Sequence, residues 1–181
     1  MKPRYVMVIE TEKCVRCMAC VVSCREENDV PEGHSRNWIA VDGPRGKYPS
    51  LGMSFVPGQC MQCAEPHCVR VCPTGATFQN DVGVTEVDPE MCIGCRYCMQ
   101  ACPYDARYFD REKGIVDKCD FCMHRVRRGQ EPSCVTTCPS RARHFGDIND
   151  PESEVSKLIA SRRTHRKKVE AGTDPQIYYV D

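Results

Sequence analysis

Sixteen of the 181 residues are cysteine, several times ordinary usage, and an excess of this kind marks either disulfides or bound metal. Spacing separates the two. The cysteines fall into four groups of four: Cys14, Cys17, Cys20, Cys24; Cys60, Cys63, Cys68, Cys72; Cys92, Cys95, Cys98, Cys102; and Cys119, Cys122, Cys134, Cys138. None lies outside a group. Thiolate is the metal-binding form of cysteine, and thiolates two residues apart can line a tight loop around one metal centre. Four such groups point to one metal-binding unit used repeatedly along the chain.

The third group reads Cys92-Ile93-Gly94-Cys95-Arg96-Tyr97-Cys98-Met99-Gln100-Ala101-Cys102-Pro103. This is the bacterial ferredoxin spacing, in which three thiolates hold one iron-sulfur cubane and the fourth, on the outgoing helix, serves the neighbouring cluster. Pro103 cannot continue that helix. The first group has the same spacing but is followed by Arg25, so its helix is expected to run on through Glu26 and Glu27. The second group widens its middle gap to Ala64–His67 and keeps Pro73. The fourth separates Cys122 from Cys134 by residues 123–133 and keeps Pro139. Each variation lengthens a loop without removing a ligand. Eight disulfides between cysteines two residues apart would violate disulfide geometry. Zinc is the stronger alternative, but zinc ribbons space their two knuckles by tens of residues, whereas the first and third groups each put four cysteines inside eleven residues.

The stretches between the groups must position these loops. Arg4–Glu10 and Gly83–Asp88 carry β-branched residues ahead of the first and third groups and read as strands. Val21–Asn28 and Arg96–Ala101 read as short helices leaving the loops. Residues 31–58 contain Pro31, Gly33, Gly43, Pro44, Gly46, Pro49, Gly52, Pro57 and Gly58, so they are expected to be mostly loop crossing between two lobes, with short strands near Trp38–Val41 and Met53–Val56. Ser153–Ser161, with Val155, Leu158 and Ile159 at helical spacing behind Asp150-Pro151, reads as a capped helix. Thr164–Asp174 is basic and then polar. Ile177–Val180 fits either a last strand or a tail lying on a partner.

Aromatic residues make up 7% and hydrophobic residues 41% of the chain, with 13 Pro and 12 Gly. Apolar packing is therefore scarce, and bound metal is expected to contribute to stability. Formal charge is zero, with 25 Lys plus Arg against 25 Asp plus Glu, which gives no indication of nucleic acid or an anionic membrane as partner. With sixteen thiolates on four cores of about +2 each, the loaded chain would carry about −8. No phosphate loop, dinucleotide fingerprint or Ser-His-Asp set is present, and a chain so occupied leaves little room for a substrate pocket. No secretory h-region or twin-arginine pair precedes the first group, and no apolar run approaches bilayer length. The sequence thus reads as a soluble chain, exported or membrane-attached only through a partner.

Arg16, Arg25, Arg70, Arg96, Arg107, Arg125, Arg141 and Arg143 lie near ligands and could raise cluster potentials; ordinary surface ion pairing is the plainer expectation for any one of them. His67 and His124 stand within two residues of a cysteine, but sixteen cysteines already fill four sites of four, so hydrogen bonding is expected of them instead. The run Arg162-Arg163-Thr164-His165-Arg166-Lys167-Lys168 could dock a partner, although such a run is more often a solvated face.

Four ferredoxin-type motifs in this order, with a widened second and a split fourth, resemble the iron-sulfur subunits of complex molybdoenzymes such as polysulfide, thiosulfate and dimethyl sulfoxide reductases. The likeness covers nearly the whole chain. It includes Pro73-Thr74-Gly75-Ala76, Pro103-Tyr104-Asp105-Ala106-Arg107, Lys118-Cys119-Asp120-Phe121-Cys122 with His124-Arg125, and Phe145-Gly146-Asp147 before Asp150-Pro151. The compact length resembles the polysulfide reductase type. The resemblance implies an α+β fold of two ferredoxin-like lobes related by a pseudo-twofold axis. Residues 1–58 and 119–150 would form the first lobe, residues 59–118 the second, and residues 151–181 a C-terminal helix and tail in contact with a partner. It also implies cross-ligation: Cys14, Cys17, Cys20 with Cys138; Cys119, Cys122, Cys134 with Cys24; Cys60, Cys63, Cys68 with Cys102; and Cys92, Cys95, Cys98 with Cys72. Spacing alone would also allow neighbouring groups to pair. Some relatives replace one cysteine by Trp and hold a three-iron cluster; here the single Trp, Trp38, lies outside every motif, so four [4Fe-4S] clusters are expected.

The expected function is that of a non-catalytic electron-transfer subunit, relaying electrons between a quinone-handling membrane subunit and a molybdenum or tungsten catalytic subunit. A freestanding polyferredoxin and a zinc-based structural module are the alternatives. The resemblance places the chain peripherally on a bacterial cytoplasmic membrane, at the periplasmic face through co-export with the catalytic partner, the cytoplasmic face being the other option.

Overall fold

The structure, a computed structural model, describes residues 2–180. Its strands and helices are short and follow the cysteine groups in a regular order. Strand β1 (Tyr5–Glu10) leads into the first group, and helix α1 (Ala19–Glu27) leaves it. Strands β2 (Asn37–Lys47) and β3 (Ser50–Gln59) run up to the second group, which contains α2 (His67–Arg70). A small ribbon, β4 (Thr77–Gln79) with β5 (Thr85–Val87), connects the second group to the third, which contains α3 (Tyr97–Gln100). A matching ribbon, β6 (Tyr108–Asp110) with β7 (Ile115–Asp117), connects the third to the fourth, which contains α4 (Met123–Val126) and α5 (Ser133–Thr136). Strand β8 (Arg143–Asp147), helix α6 (Glu154–Ser161) and strands β9 (Thr164–His165) and β10 (Ile177–Val180) complete the chain.

One four-stranded sheet, in the order β8-β1-β10-β9, holds the ends of the chain together. Strand β1 is parallel to β10, with Met7 opposite Ile177, and antiparallel to β8, with Met7 opposite Phe145. Val6, Met7, Val8 and Ile9 are all fully buried. Met7 and Ile9 join a core with Phe121, Ile177, Tyr179 and several cysteines, while Val6 and Val8 pack against Val155 of α6. A strand covered on both faces is apolar on successive residues, which accounts for the Val-Met-Val-Ile run. Helix α6 starts where expected, with Ser153 Oγ accepting the Ser156 N–H at 3.3 Å as N-cap. Ile177–Val180 is an inner strand.

Residues 31–58 depart from the expectation of mostly loop. Strands β2 and β3 pair from Asn37 opposite Gln59 to Lys47 opposite Ser50. The ribbon is exposed along most of its outer length, so its prolines and glycines need not fit a sheet interior. Pro44 falls within a register shift between Asp42 and Arg45, and Pro49 lies in the turn at the tip. Gly58 is required by a close approach: a Cβ there would lie 2.5 Å from the Trp38 ring.

Candidate metal centres

All four cysteine loops share one backbone device. The residue two places after the first cysteine of each group has positive φ: Arg16 (55°), Gln62 (46°), Gly94 (65°) and Phe121 (57°). A left-handed residue there curls the loop so that successive groups face inward. Only the third loop uses glycine, and a Cβ on Gly94 would meet the Gly114 carbonyl at 2.5 Å. After the last cysteine the repetition continues at Gly75 (72°), Asp105 (50°) and Arg141 (49°), each three places on. Their N–H groups donate to the carbonyls of Cys72, Cys102 and Cys138 at 3.4, 3.3 and 3.2 Å. The first group lacks this turn, because α1 runs on through Glu26 and Glu27, as its missing proline predicts.

The sixteen cysteines are unbridged thiols. Cys60, Cys63, Cys68 and Cys102 line one cavity, together with His67, Thr85, Tyr104, Arg107 and Thr173. Cys72, Cys92, Cys95 and Cys98 line a second. In each, three cysteines come from one group and the last from another. Seven of the remaining eight interact mostly along the same pattern, Cys24 with Cys134 and Cys122, Cys119 with Cys24 and Cys134, and Cys20 with Cys138 and Cys14, while Cys134 also interacts with Cys20 and Cys119 with Cys60. Helices α1 and α5 pack together at this junction, with Ser23 Oγ and Ser133 Oγ 2.8 Å apart. Among the described residues no three His, Cys, Asp or Glu side chains converge on a point that would hold a single metal ion. The cysteines surround spaces instead.

Burial pushes the Cys24 thiol up to about 12, with Cys134 and Cys122 adding to the effect. It pushes Cys63 up to about 12 and Cys134 up to about 11, and places Cys119 well above the ordinary thiol range. Buried sulfurs this close cannot all be anions without positive charge nearby. Cys72 behaves oppositely: burial pushes it up, but the Thr77 N–H donates to its sulfur at 3.3 Å and the Thr74 hydroxyl lies at 3.7 Å, and the net effect is below the ordinary value. The matching cysteine of the fourth group, Cys138, receives the Ala142 N–H at 3.3 Å, with the Ser140 hydroxyl at 3.7 Å.

Positive charge is supplied from within. Burial works against the charge of Arg143, yet Cys134 and Cys20 hold its pKa above the ordinary guanidinium value; Cys68, Cys98 and Cys60 do the same for Arg107. Buried Nη2 atoms of both arginines donate to no described group. Cavities lined by four thiols, with buried unpartnered N–H groups close to them, fit a bulky anionic metal-sulfur cluster.

Six of the eight arginines singled out from the sequence divide by environment, while Arg25 is half-buried and Arg141 exposed. Arg70 pairs with Glu65, and Arg125 with Glu27 at 2.7 Å, as surface pairing anticipates. Arg16 and Arg96 lie over the rings of Phe55 and Phe109 at 5.9 and 3.8 Å. Arg107 and Arg143 face sulfur. His124 bonds Glu27 at 2.8 Å, whereas His67 lines a cysteine cavity. The basic run is partly engaged at home, with Arg166 bonded to Asp174 and Lys168 to the Pro103 carbonyl. Sequence reading missed Asn28, whose amide lies 3.6 and 3.8 Å from the sulfurs of Cys24 and Cys122. Its position at the C-cap of α1, four residues after a cysteine, is the only signal it carries.

Residues 51–148 match a family described as a 4Fe-4S dicluster domain, and residues 13–76 match a second family of the same description. A polysulfide reductase polypeptide of Wolinella succinogenes is 42% identical over 183 residues, covering 99% of this chain and 95% of that one. A tetrathionate reductase polypeptide of Salmonella typhimurium is 41% identical, covering 98% and 72%. A Halobacterium salinarum polypeptide assigned as the iron-sulfur subunit of a dimethyl sulfoxide reductase is 42% identical, covering 98% and 79%.

Proposed function

This protein belongs to the 4Fe-4S dicluster family that includes those polypeptides of the polysulfide, tetrathionate and dimethyl sulfoxide reductases, and from that membership we propose that it is a non-catalytic electron-transfer subunit holding four [4Fe-4S] clusters. Such clusters, when bound, accept and release single electrons in series. The chain's own residues hold them apart, shield them and set their surroundings.

The observation that carries this proposal is the pair of cavities in which three cysteines of one group meet the last cysteine of another. It supports cross-ligation throughout: Cys14, Cys17, Cys20 with Cys138; Cys119, Cys122, Cys134 with Cys24; Cys60, Cys63, Cys68 with Cys102; Cys92, Cys95, Cys98 with Cys72. Two ferredoxin-like lobes follow, residues 1–58 with 119–150 and residues 59–118, related by a pseudo-twofold. The repeats Cys102-Pro-Tyr-Asp-Ala-Arg107 and Cys138-Pro-Ser-Arg-Ala-Arg143 support that relation, as do the matching left-handed turns.

Among the cysteines only Cys17 and Cys95 are exposed. Val15, Met18 and Val22, near the first in sequence, and Met91, Ile93 and Tyr97, near the second, are exposed as well. These two faces are the places where electrons pass to and from partners: a molybdenum or tungsten catalytic subunit and a quinone-handling membrane subunit. No described helix is long and apolar enough to cross a membrane, so attachment would be peripheral, at the periplasmic face of a bacterial cytoplasmic membrane through co-export with the catalytic partner.

The test is an iron and acid-labile sulfide count on the complex isolated from its native host, with identification of what co-purifies. About sixteen irons and sixteen sulfides per chain are expected. Four zincs, or two cubanes with eight free thiols, would overturn the reading.

A further inference from the structure

Among the described residues three Lys and Arg side chains lie inside the protein. Arg107, Lys118 and Arg143 are 6%, 2% and 3% exposed, and among the described residues none makes an ion pair with a carboxylate. Lys and Arg are almost never buried so deeply unless paired. Their partners here are neutral. Arg107 Nη1 donates to the Thr77 hydroxyl at 3.3 Å. Arg143 Nη1 donates to Gln59 Oε1 and lies 3.6 Å from Met7 Sδ. Lys118 Nζ donates to the carbonyls of Thr85 and, at 2.8 Å, Cys119. The missing counter-charge is that of the thiolates and whatever they hold.

Their positions divide the cysteines in an orderly way. Arg143 lines a cavity together with Cys138 of one ligand set, and interacts with Cys20 of that set and Cys134 of the next. Lys118 bonds the carbonyl of Cys119, a ligand of that second set, and the carbonyl of Thr85, which lines the cavity of the Cys60 set; Cys119 itself interacts with Cys60. Arg107 interacts with Cys68 and Cys60 of the third set and Cys98 of the fourth. Each of the three buried cations thus adjoins residues of two ligand sets, and no two adjoin the same pair.

We propose that Arg143, Lys118 and Arg107 are charge spacers interleaved with the four clusters, each favouring the reduced form of the two clusters it separates; the inference rests on the four-cluster assignment above. An electron added to one cluster repels an electron on its neighbour, and in a low-dielectric interior that repulsion is weakly screened. A fixed cation between them offsets it for both and raises both potentials.

The test is redox-titrated paramagnetic resonance of the intact complex carrying Arg143→Gln, Lys118→Gln or Arg107→Gln, beside the charge-keeping Arg143→Lys, Lys118→Arg and Arg107→Lys. The expected result is a fall in potential of two clusters per Gln variant, in overlapping pairs. Arg143→Gln lowers those of the Cys14 and Cys119 sets, Lys118→Gln those of the Cys119 and Cys60 sets, and Arg107→Gln those of the Cys60 and Cys92 sets. Charge-keeping variants stay near wild type. No shift, a shift of all four clusters, or equal shifts in the charge-keeping variants would overturn the proposal. Where a Gln variant loses clusters, retention by its charge-keeping counterpart supports a charge role, and equal loss in both overturns it. A wild-type count other than four clusters fails the assignment itself, whereas four clusters with unshifted potentials fails the spacers alone.

Discussion

The ligand set around Cys119 and the set around Cys92 share the opening pair of cysteines two residues apart and the closing Cys-Pro, though the fourth group is split in the middle, and they have very different surroundings. Cys24, Cys119, Cys122 and Cys134 are all buried, against a core in which Phe121 is fully buried and meets Phe145 edge-on at 5.2 Å. Cys95 is exposed, Cys72 and Cys92 are partly so, Cys98 alone of this set is buried, and Ile93 beside them is 66% exposed. The first set borrows its packing from β1, β8 and β10, elements at the two ends of the chain. The second set is flanked by β4-β5 and β6-β7, ribbons of three-residue strands. Motif spacing therefore fixes how a loop binds, and long-range strand pairing fixes how deeply it is buried.

That contrast breaks most visibly on removal of the clusters. Residues 59–118, short of packing of their own, should lose amide-exchange protection while the β8-β1-β10-β9 sheet keeps most of its protection, as measured by hydrogen exchange with and without chelation. Uniform loss would show that the sheet does not stand alone. Next in size, Phe121→Ala should destabilise the loaded chain by about 3–5 kcal/mol, whereas Ile93→Ala should stay within about 0.5 kcal/mol, both read from thermal unfolding.

Arg36 sharpens the comparison at the joint between the regions. It grips Asp117 at 2.9 and 3.0 Å and reaches Asn28 at 2.8 Å and Asp120 at 3.2 Å. Arg36→Gln should cost roughly 2 kcal/mol by leaving charged partners unsatisfied, with the loss of protection appearing on both sides of the joint.

The smallest effect belongs to the sheet. Burial pushes Glu10 up, but Lys13 and His144 outweigh it and hold the carboxyl below its ordinary 4.5. A carboxyl depressed in the folded state contributes stability that is present above its unfolded pKa and lost as pH falls through the folded one. The stability gap between wild type and Glu10→Gln should therefore be steady near neutrality and narrow below pH 4.5, as measured by unfolding midpoints across that range. A gap that widens on acidification would contradict this.

The loops were legible because their chemistry is local: four cysteines within a few residues, a proline after three of the groups, and α1 running on where the first group lacks one. Arg4–Glu10 and Ser153–Ser161 were legible from apolar pattern and cap. The β2-β3 ribbon was legible only in part: short strands were expected near Trp38–Val41 and Met53–Val56, and both lie in it, but its full length was not, because its glycines and prolines carry the composition of a loop while its pairing tolerates them outside a sheet interior. Arg36, Asn28 and the setting of Lys118 were also invisible. Arg36 meets Asp117 across 81 positions and Asn28 approaches Cys122 across 94, and no short motif announces such contacts. Among the arginines, proximity to a cysteine in sequence did not distinguish Arg70, which pairs on the surface, from Arg107, which is buried.

The central claim, that the last cysteine of each group serves its paired group, is tested most directly by paramagnetic resonance of the reduced Cys24→Ser and Cys138→Ser variants side by side. Cys24→Ser should perturb the cluster held by Cys119, Cys122 and Cys134, and Cys138→Ser the one held by Cys14, Cys17 and Cys20. Perturbation of one and the same cluster signal by both substitutions would contradict it.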